Sequence, residues 1–214
     1  MRAVGSLQNR FLNKEAAKID QQVFRLELCK KCLESEFLER RIQGIRDLNQ
    51  VISANSYGDK QFDPQFLVKW MTDHKVFDTL WMARSTHAQL VERSNDIWRF
   101  LLYERQIQDE HLNMFWSLSE TSEYKKAVYK IITDTSFYLH QPQIEFMFSK
   151  ITNTPVKSLD MSDFDLLSEI GKHCIDKKLK DGLSDFFWRI ISESDSYSDE
   201  IVETCIARFS EMIK

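Results

Sequence analysis

The pattern in this chain that most resembles a chemical site is Cys29-Lys30-Lys31-Cys32, two thiols three residues apart. A structural zinc ion needs four ligands at tetrahedral positions, usually two such pairs or one pair with closely spaced histidines. Cys174 and Cys205 are isolated and far away in sequence, so the pattern lacks half of its ligands. On a helix, positions i and i+3 share a face, and two buried thiols there need no metal. His173 and Cys174 are adjacent, the residue types of a thiol protease, but neighbours on a helix point about 100° apart and cannot form a base–nucleophile pair. His74, His87, His111 and His140 fall in separate segments, where a lone histidine caps or packs a helix. Glu110-His111 lacks the second histidine of a metalloprotease helix. The acids Asp109 and Glu110, and Asp163 and Asp165, sit at helix entries, where the helix dipole attracts negative charge. Phosphate-cradling glycine patterns are absent from a chain with five scattered glycines. No residue is therefore assigned as catalytic, metal-binding or cofactor-binding.

The elements that would position any site are helical. Leu38, Ile42, Ile45, Leu48 and Ile52 recur at three- and four-residue steps, the spacing of one helix face. Leu90, Val91, Ile97, Trp98, Leu101 and Leu102 form a second stripe, and Tyr124, Val128, Ile131, Thr135 and Tyr138 a third. Phe164, Leu167, Ile170 and Cys174 form a fourth, and Val202, Cys205, Phe209 and Met212 a fifth. These stripes predict helices near 37–54, 64–82, 86–104, 108–118, 121–139 and 142–151, with two more over the last stripes and a polar one from about Gln8 to Leu33. Asp63-Pro64 reads as an N-cap followed by proline in the first turn. Thr86 with Gln89, and Ser162 with Asp165, read as capping boxes, and Pro142 opens a helix. Asn55-Ser56-Tyr57-Gly58-Asp59 and Ser192–Ser198 read as loops, with Asp199 and Glu200 starting the last helix. No segment alternates with period two, so no strand is assigned.

Longer helices precede shorter ones, and the shorter ones begin about 44 and then about 34 residues apart, near the period of armadillo and HEAT units. Each helix pair must cover its apolar face with the next. The expected fold is all-α, a right-handed α-solenoid of degenerate armadillo/HEAT-like repeats, with 1–214 as a single helical-repeat domain and a fragment of a longer solenoid. An irregular helical bundle is the alternative architecture.

Composition narrows the functional classes. Five glycines and three prolines disfavour folds rich in turns. A net charge of −4 with interleaved signs and no basic block argues against nucleic acid as a partner. No run approaches the roughly 18 apolar residues of a membrane span, and Met1–Ser6 lacks the apolar stretch of a secretory leader. Irregularly spaced cysteines fit an intracellular compartment, cytoplasmic or nuclear. Of the five tryptophans, Trp70, Trp81, Trp98, Trp116 and Trp188, most are expected in the core, while an exposed one could line a peptide groove.

Several segments carry a resemblance. Leu38-x-x-Arg41-Ile42-x-Gly44-Ile45-Arg46-Asp47-Leu48-Asn49-x-Val51-Ile52 resembles a helix in the non-catalytic regions of large ubiquitin-specific proteases of the fat facets type. Phe66-Leu67-Val68-Lys69-Trp70-Met71 is similar to their next helix, with Phe66 in place of a tryptophan. The segment from His87 to Leu101 follows in the same order, then Leu112-x-x-Phe115-Trp116, Ser122-Glu123-x-x-Lys126-x-Val128-Tyr129 and Phe146-x-Phe148-x-Lys150-Ile151. The resemblance spans about residues 33–175. It implies an armadillo-like scaffold remote from the protease domain, within a parent that is a thiol-dependent deubiquitinase. The family's Cys and His boxes have no counterpart here, so no catalytic residue carries over. The expected function is a non-catalytic protein-interaction scaffold with other proteins as partners. A stand-alone HEAT/armadillo adaptor without a link to ubiquitin is the alternative, and an enzyme built on helices ranks last.

Overall fold

A computed structural model describes residues 21, 23–57, 62–82 and 86–212 of the chain. Among the described residues every regular element is a helix, as the periodicity predicts. In chain order these are α1 (23–33), α2 (Leu38–Tyr57), α3 (Pro64–Asp73), α4 (Val76–Trp81), α5 (Ala88–Arg93), α6 (Asn95–Tyr103), α7 (Asp109–Ser119), α8 (Ser122–Asp134), α9 (Gln141–Thr152), α10 (Met161–Lys172), α11 (Lys177–Ser192) and α12 (Asp199–Met212). Short 3-10 turns occupy Ser136–Tyr138, Val156–Ser158 and Ser194–Ser196. None of these helices is long and apolar enough to cross a membrane. The chain divides after Leu118 into two compact units. The expectations for Met1–Ser6, the start of the first helix at Gln8 and the Gly58-Asp59 end of the first loop lie outside the described residues, while Asn55-Ser56-Tyr57, expected as loop, instead form the end of α2.

In the first unit, Leu26, Cys29 and Leu33 put one buried face of α1 toward the core. The crossing with α2 is unusually close at Gly44. A Cβ there would lie 2.9 Å from Cys32 Cβ and 3.0 Å from both the Cys29 carbonyl oxygen and the Leu33 amide nitrogen. Cys29 and Cys32 thus serve as small residues at a helix–helix contact. Helix α2 packs on α5 and α6, and α3 on α4. The centre is aromatic: Trp98 stacks on Phe115 at 4.1 Å between ring centroids, and Trp81 meets both rings edge-on. Such pairs add about 0.5–1.5 kcal/mol to their burial.

Two expected helices are each divided in two. The 64–82 stripe breaks after Asp73, and Lys75 takes left-handed φ of 53° before α4 begins. The 86–104 stripe breaks at Ser94, whose buried hydroxyl donates to the Val91 carbonyl at 2.7 Å and accepts from Trp81 Nε1 at 3.0 Å. A side chain that ties its own preceding turn to a neighbouring core ring ends one helix without disturbing the apolar period. Helix α6 then stops in a Schellman arrangement, with Arg105 at φ 55° and the Gln106 and Arg105 amides donating to the Leu101 and Leu102 carbonyls.

In the second unit α10 is the hub, packing against α8, α9, α11 and α12. Phe164, Leu166, Leu167, Ile170 and Gly171 are all buried, so its apolar residues face more than one neighbour. Its entry is tied to α8. The buried Asp163 carboxylate accepts from Tyr129 Oη at 2.6 Å, from Lys125 Nζ at 2.8 Å and from the Asp160 amide at 2.8 Å. Burial alone would lower Lys125, but its hydrogen bonds to Asp160 and Asp163 outweigh this and raise its pKa. The capping box expected from Ser162 and Asp165 is corrected by these bonds. Asp160 is the N-cap and Asp163 its partner, while Asp165 meets Arg208 of α12 at 2.6 Å. The Thr86–Gln89 box is likewise replaced: His87 Nδ1 accepts from the Gln89 amide at 3.2 Å, and the Thr86 hydroxyl donates to the Leu80 carbonyl at 2.7 Å. Asp63 caps α3 as expected, accepting from the Gln65 amide at 2.9 Å.

The α1–α2 crossing gives a direct test. Gly44→Val places three carbons where backbone atoms leave no room, and is expected to lower unfolding stability by about 2–3 kcal/mol in urea titration. An unchanged midpoint would show that α1 does not rest on α2 at this point.

Candidate functional site

The residues with chemistry in their side chains are placed in the core or at helix ends. Cys29 is 1% exposed, and burial, then the nearby Asp47 carboxylate, pushes its thiol up to about 12. Cys205 is fully buried and is also pushed up to about 12 by burial. A thiol held protonated in this way is a poor nucleophile and a poor metal ligand. Cys174 is buried with Sγ 3.5 Å from the Asp176 carbonyl, while His173 turns toward Glu169, with Nε2 3.5 Å from Oε1. The adjacent pair is therefore directed to different neighbours.

All five histidines stand at helix ends. His74 follows α3 and lies edge-on to Trp70, His87 caps α5, His140 precedes α9 and donates its amide to Gln143 Oε1 at 3.0 Å, and His173 ends α10. His111 is in the first turns of α7, 4% exposed, with Nδ1 accepting from the Gln108 amide at 3.2 Å and its ring 4.4 Å from Phe77. Burial lowers its pKa, an effect only partly opposed by Glu110. Among the described residues no three His, Cys, Asp or Glu side chains converge as metal ligands would.

What remains is surface. Trp70, Trp81, Trp98 and Trp116 are buried, whereas Trp188 on α11 is 59% exposed. It stands at an open groove of about 610 Å³ between α9 and α11, lined by Phe148 and Thr152 on one side and by Gly182, Asp185, Phe186 and Arg189 on the other. Gly182 faces the Phe148 ring across the floor, where a Cβ would make an ordinary contact at 3.6 Å. The Arg189 guanidinium lies 5.7 Å over the Phe186 ring, and Trp188 packs beside Phe209 of α12 at 6.3 Å. A partly exposed tryptophan beside an arginine, over an apolar floor, is the composition of a protein-binding hot spot.

The apolar stripes of the sequence predict no helix over 177–192, so Trp188 is legible there but the groove is not. Lys177, Lys178, Lys180, Asp181 and Gly182 make the start of α11 polar and interrupted. The available signals are the Asp176 cap, which accepts from the Leu179 amide at 2.8 Å, and the spacing of Leu183, Phe186, Phe187 and Ile190.

Short, capped helices stacked on shared aromatic cores, with no strand among the described residues, are the make-up of an armadillo-type repeat region. Residues 20–214 match the family described as UBP24/USP9X/USP9Y ARM repeat, and the chain belongs to that family. The match extends beyond 33–175 at both ends. The chain is also 20% identical over 114 residues to the ubiquitin carboxyl-terminal hydrolase puf of Drosophila melanogaster. That alignment covers 50% of this chain and 3% of the fly protein, so the chain spans a small part of its relative's length.

His111 makes stability sensitive to mild acid. Its folded pKa lies below the value of about 6.5 in an unfolded chain, so the unfolded state binds more protons as pH drops. Stability is full above that unfolded value and is lost as pH falls below it toward the folded pKa. The urea midpoint is expected to fall between about pH 7 and pH 5, and His111→Asn, which keeps an acceptor without a titrating ring, to fall less. Equal slopes for the two proteins would remove His111 from this account.

Proposed function

We propose that this chain is a non-catalytic protein-interaction region of a large ubiquitin-specific protease, recruiting or positioning other proteins for removal of ubiquitin elsewhere in the parent. The observation that carries the reading is the Trp188 groove, set on a chain of the ubiquitin-protease ARM family. A buried tryptophan would serve folding. One left exposed beside Phe148, Phe186 and Arg189 offers a large amphipathic contact at little entropic cost. The four cysteines, three buried and none in a disulfide, suit a reducing compartment, and the proposed place of action is the cytoplasm or nucleus. The work of the region is binding, and the parent's chemistry belongs to residues outside it.

The test compares two substrates for the protease that carries the region. Trp188→Ala together with Phe148→Ala is expected to leave turnover of a minimal fluorogenic ubiquitin substrate unchanged while slowing removal of ubiquitin from intact protein substrates severalfold. A proportional loss on both substrates would mean that the region supports catalysis itself. No loss on protein substrates would remove the groove from recognition.

A further inference from the structure

On the first unit, Arg46, Asn49, Gln50 and Ser53 of α2 line one side of an open pocket of about 390 Å³, and Arg93 at the end of α5 and Asp96 at the start of α6 line the other. The α2 residues are spaced i, i+3, i+4 and i+7, so one helix face presents them together. Asn49 Nδ2 donates to the Arg93 carbonyl at 2.8 Å and pins the two sides.

The charges in this pocket are unevenly satisfied. Asp96 already pairs with Arg99 at 2.6 Å. Arg46 donates to the neutral Gln43 Oε1 at 3.2 Å, and Arg93 to the Gln89 carbonyl at 3.1 Å. Among the described residues neither guanidinium meets a carboxylate. A third, Arg25 on α1, donates to Gln50 Oε1 at 3.3 Å and adds positive charge at the rim. Asn49 Oδ1 is shielded from solvent, so Asn49 serves to tie α2 to the end of α5 rather than to face a ligand.

We infer that this pocket binds an acidic peptide segment of a protein partner. Guanidinium groups without carboxylates call for planar anions, which they hold through paired hydrogen bonds. A peptide rich in Asp and Glu carries such groups along one chain, its side chains meeting Arg46 and Arg93. The Gln50 amide and the Ser53 hydroxyl can donate or accept along the same segment. The inference gives the protein-binding reading above a ligand class and depends on it only in that sense. The pocket is on residues separate from the Trp188 groove, so either surface can fail its test alone.

Fluorescence anisotropy with a labelled octapeptide of Asp and Glu, titrated with the whole chain, tests it. The acidic peptide is expected to bind at least about tenfold more tightly than its Asn/Gln analogue, a difference of about 1.4 kcal/mol. Arg46→Gln with Arg93→Gln, and separately Ser53→Glu, which adds a negative charge without removing either arginine, should each raise Kd about tenfold while circular dichroism stays helical. Lys126→Gln, on α8 of the other unit, should leave Kd unchanged. Inorganic phosphate at matched ionic strength should not displace the peptide. Absent binding, equal affinity for the neutral analogue, full affinity in both pocket variants, an equal loss in Lys126→Gln, or displacement by phosphate would each overturn the assignment.

Discussion

Helices of six residues, such as α4 and α5, cannot persist on their own hydrogen bonds. Each described helix of this chain exists because its apolar face is covered by a neighbour, and that dependence organises both units. In the first, the requirement converges on Trp81, Trp98 and Phe115, three rings from α4, α6 and α7 in mutual contact. In the second it converges on α10, which buries Phe164, Leu167 and Ile170 among four other helices. Two polar groups admitted to these interiors are well bound: Ser94 bridges Trp81 and the Val91 carbonyl, and Asp163 gathers Tyr129, Lys125 and the Asp160 amide. A carboxylate buried with those partners fixes how α8 meets α10 more narrowly than apolar contact would.

The same dependence explains where the chemically suggestive residues stand. Cys29 and Cys32 are adjacent on α1 because small side chains are needed where Gly44 brings α2 close. The histidines sit at helix ends because an imidazole can accept from a free amide, as His87 and His111 do. What a repeat fold leaves for function is the surface its helices do not use on one another. Two such places stand out by what they lack. The Trp188 groove lacks a covering side chain, and the Arg46–Arg93 pocket has one lining carboxylate, Asp96, which is already paired with Arg99.

Helical class, the α2, α7, α9 and α12 segments and the Asp63 cap were legible from apolar period and cap chemistry, because both are local properties of the chain. The divisions at Ser94 and Lys75 were not. The apolar stripe runs through them unbroken, and the break at Ser94 depends on a hydrogen bond from Trp81, a residue 13 positions away. Ser162 and Asp165 fit the capping pattern as well as Asp160 and Asp163 do, so cap chemistry alone places the start of α10 two residues late. Only the position of Tyr129 and Lys125 decides between them. Helix α11 was hidden by its polar first turns and Gly182, and with it the groove. The Arg46–Arg93 pocket was invisible for a different reason. Charge counts show how many arginines there are, but not which of them the fold leaves without a carboxylate.

The central claim is that this chain acts by holding other proteins on a preformed surface. A photo-crosslinking amino acid at Ser192, in the wall of the Trp188 groove, tests it most directly in cells expressing the chain. The account predicts discrete crosslinked proteins that disappear when Trp188→Ala is added and are absent when the crosslinker is moved to Lys126. Crosslinks that persist in Trp188→Ala, or none above the Lys126 control, would contradict it.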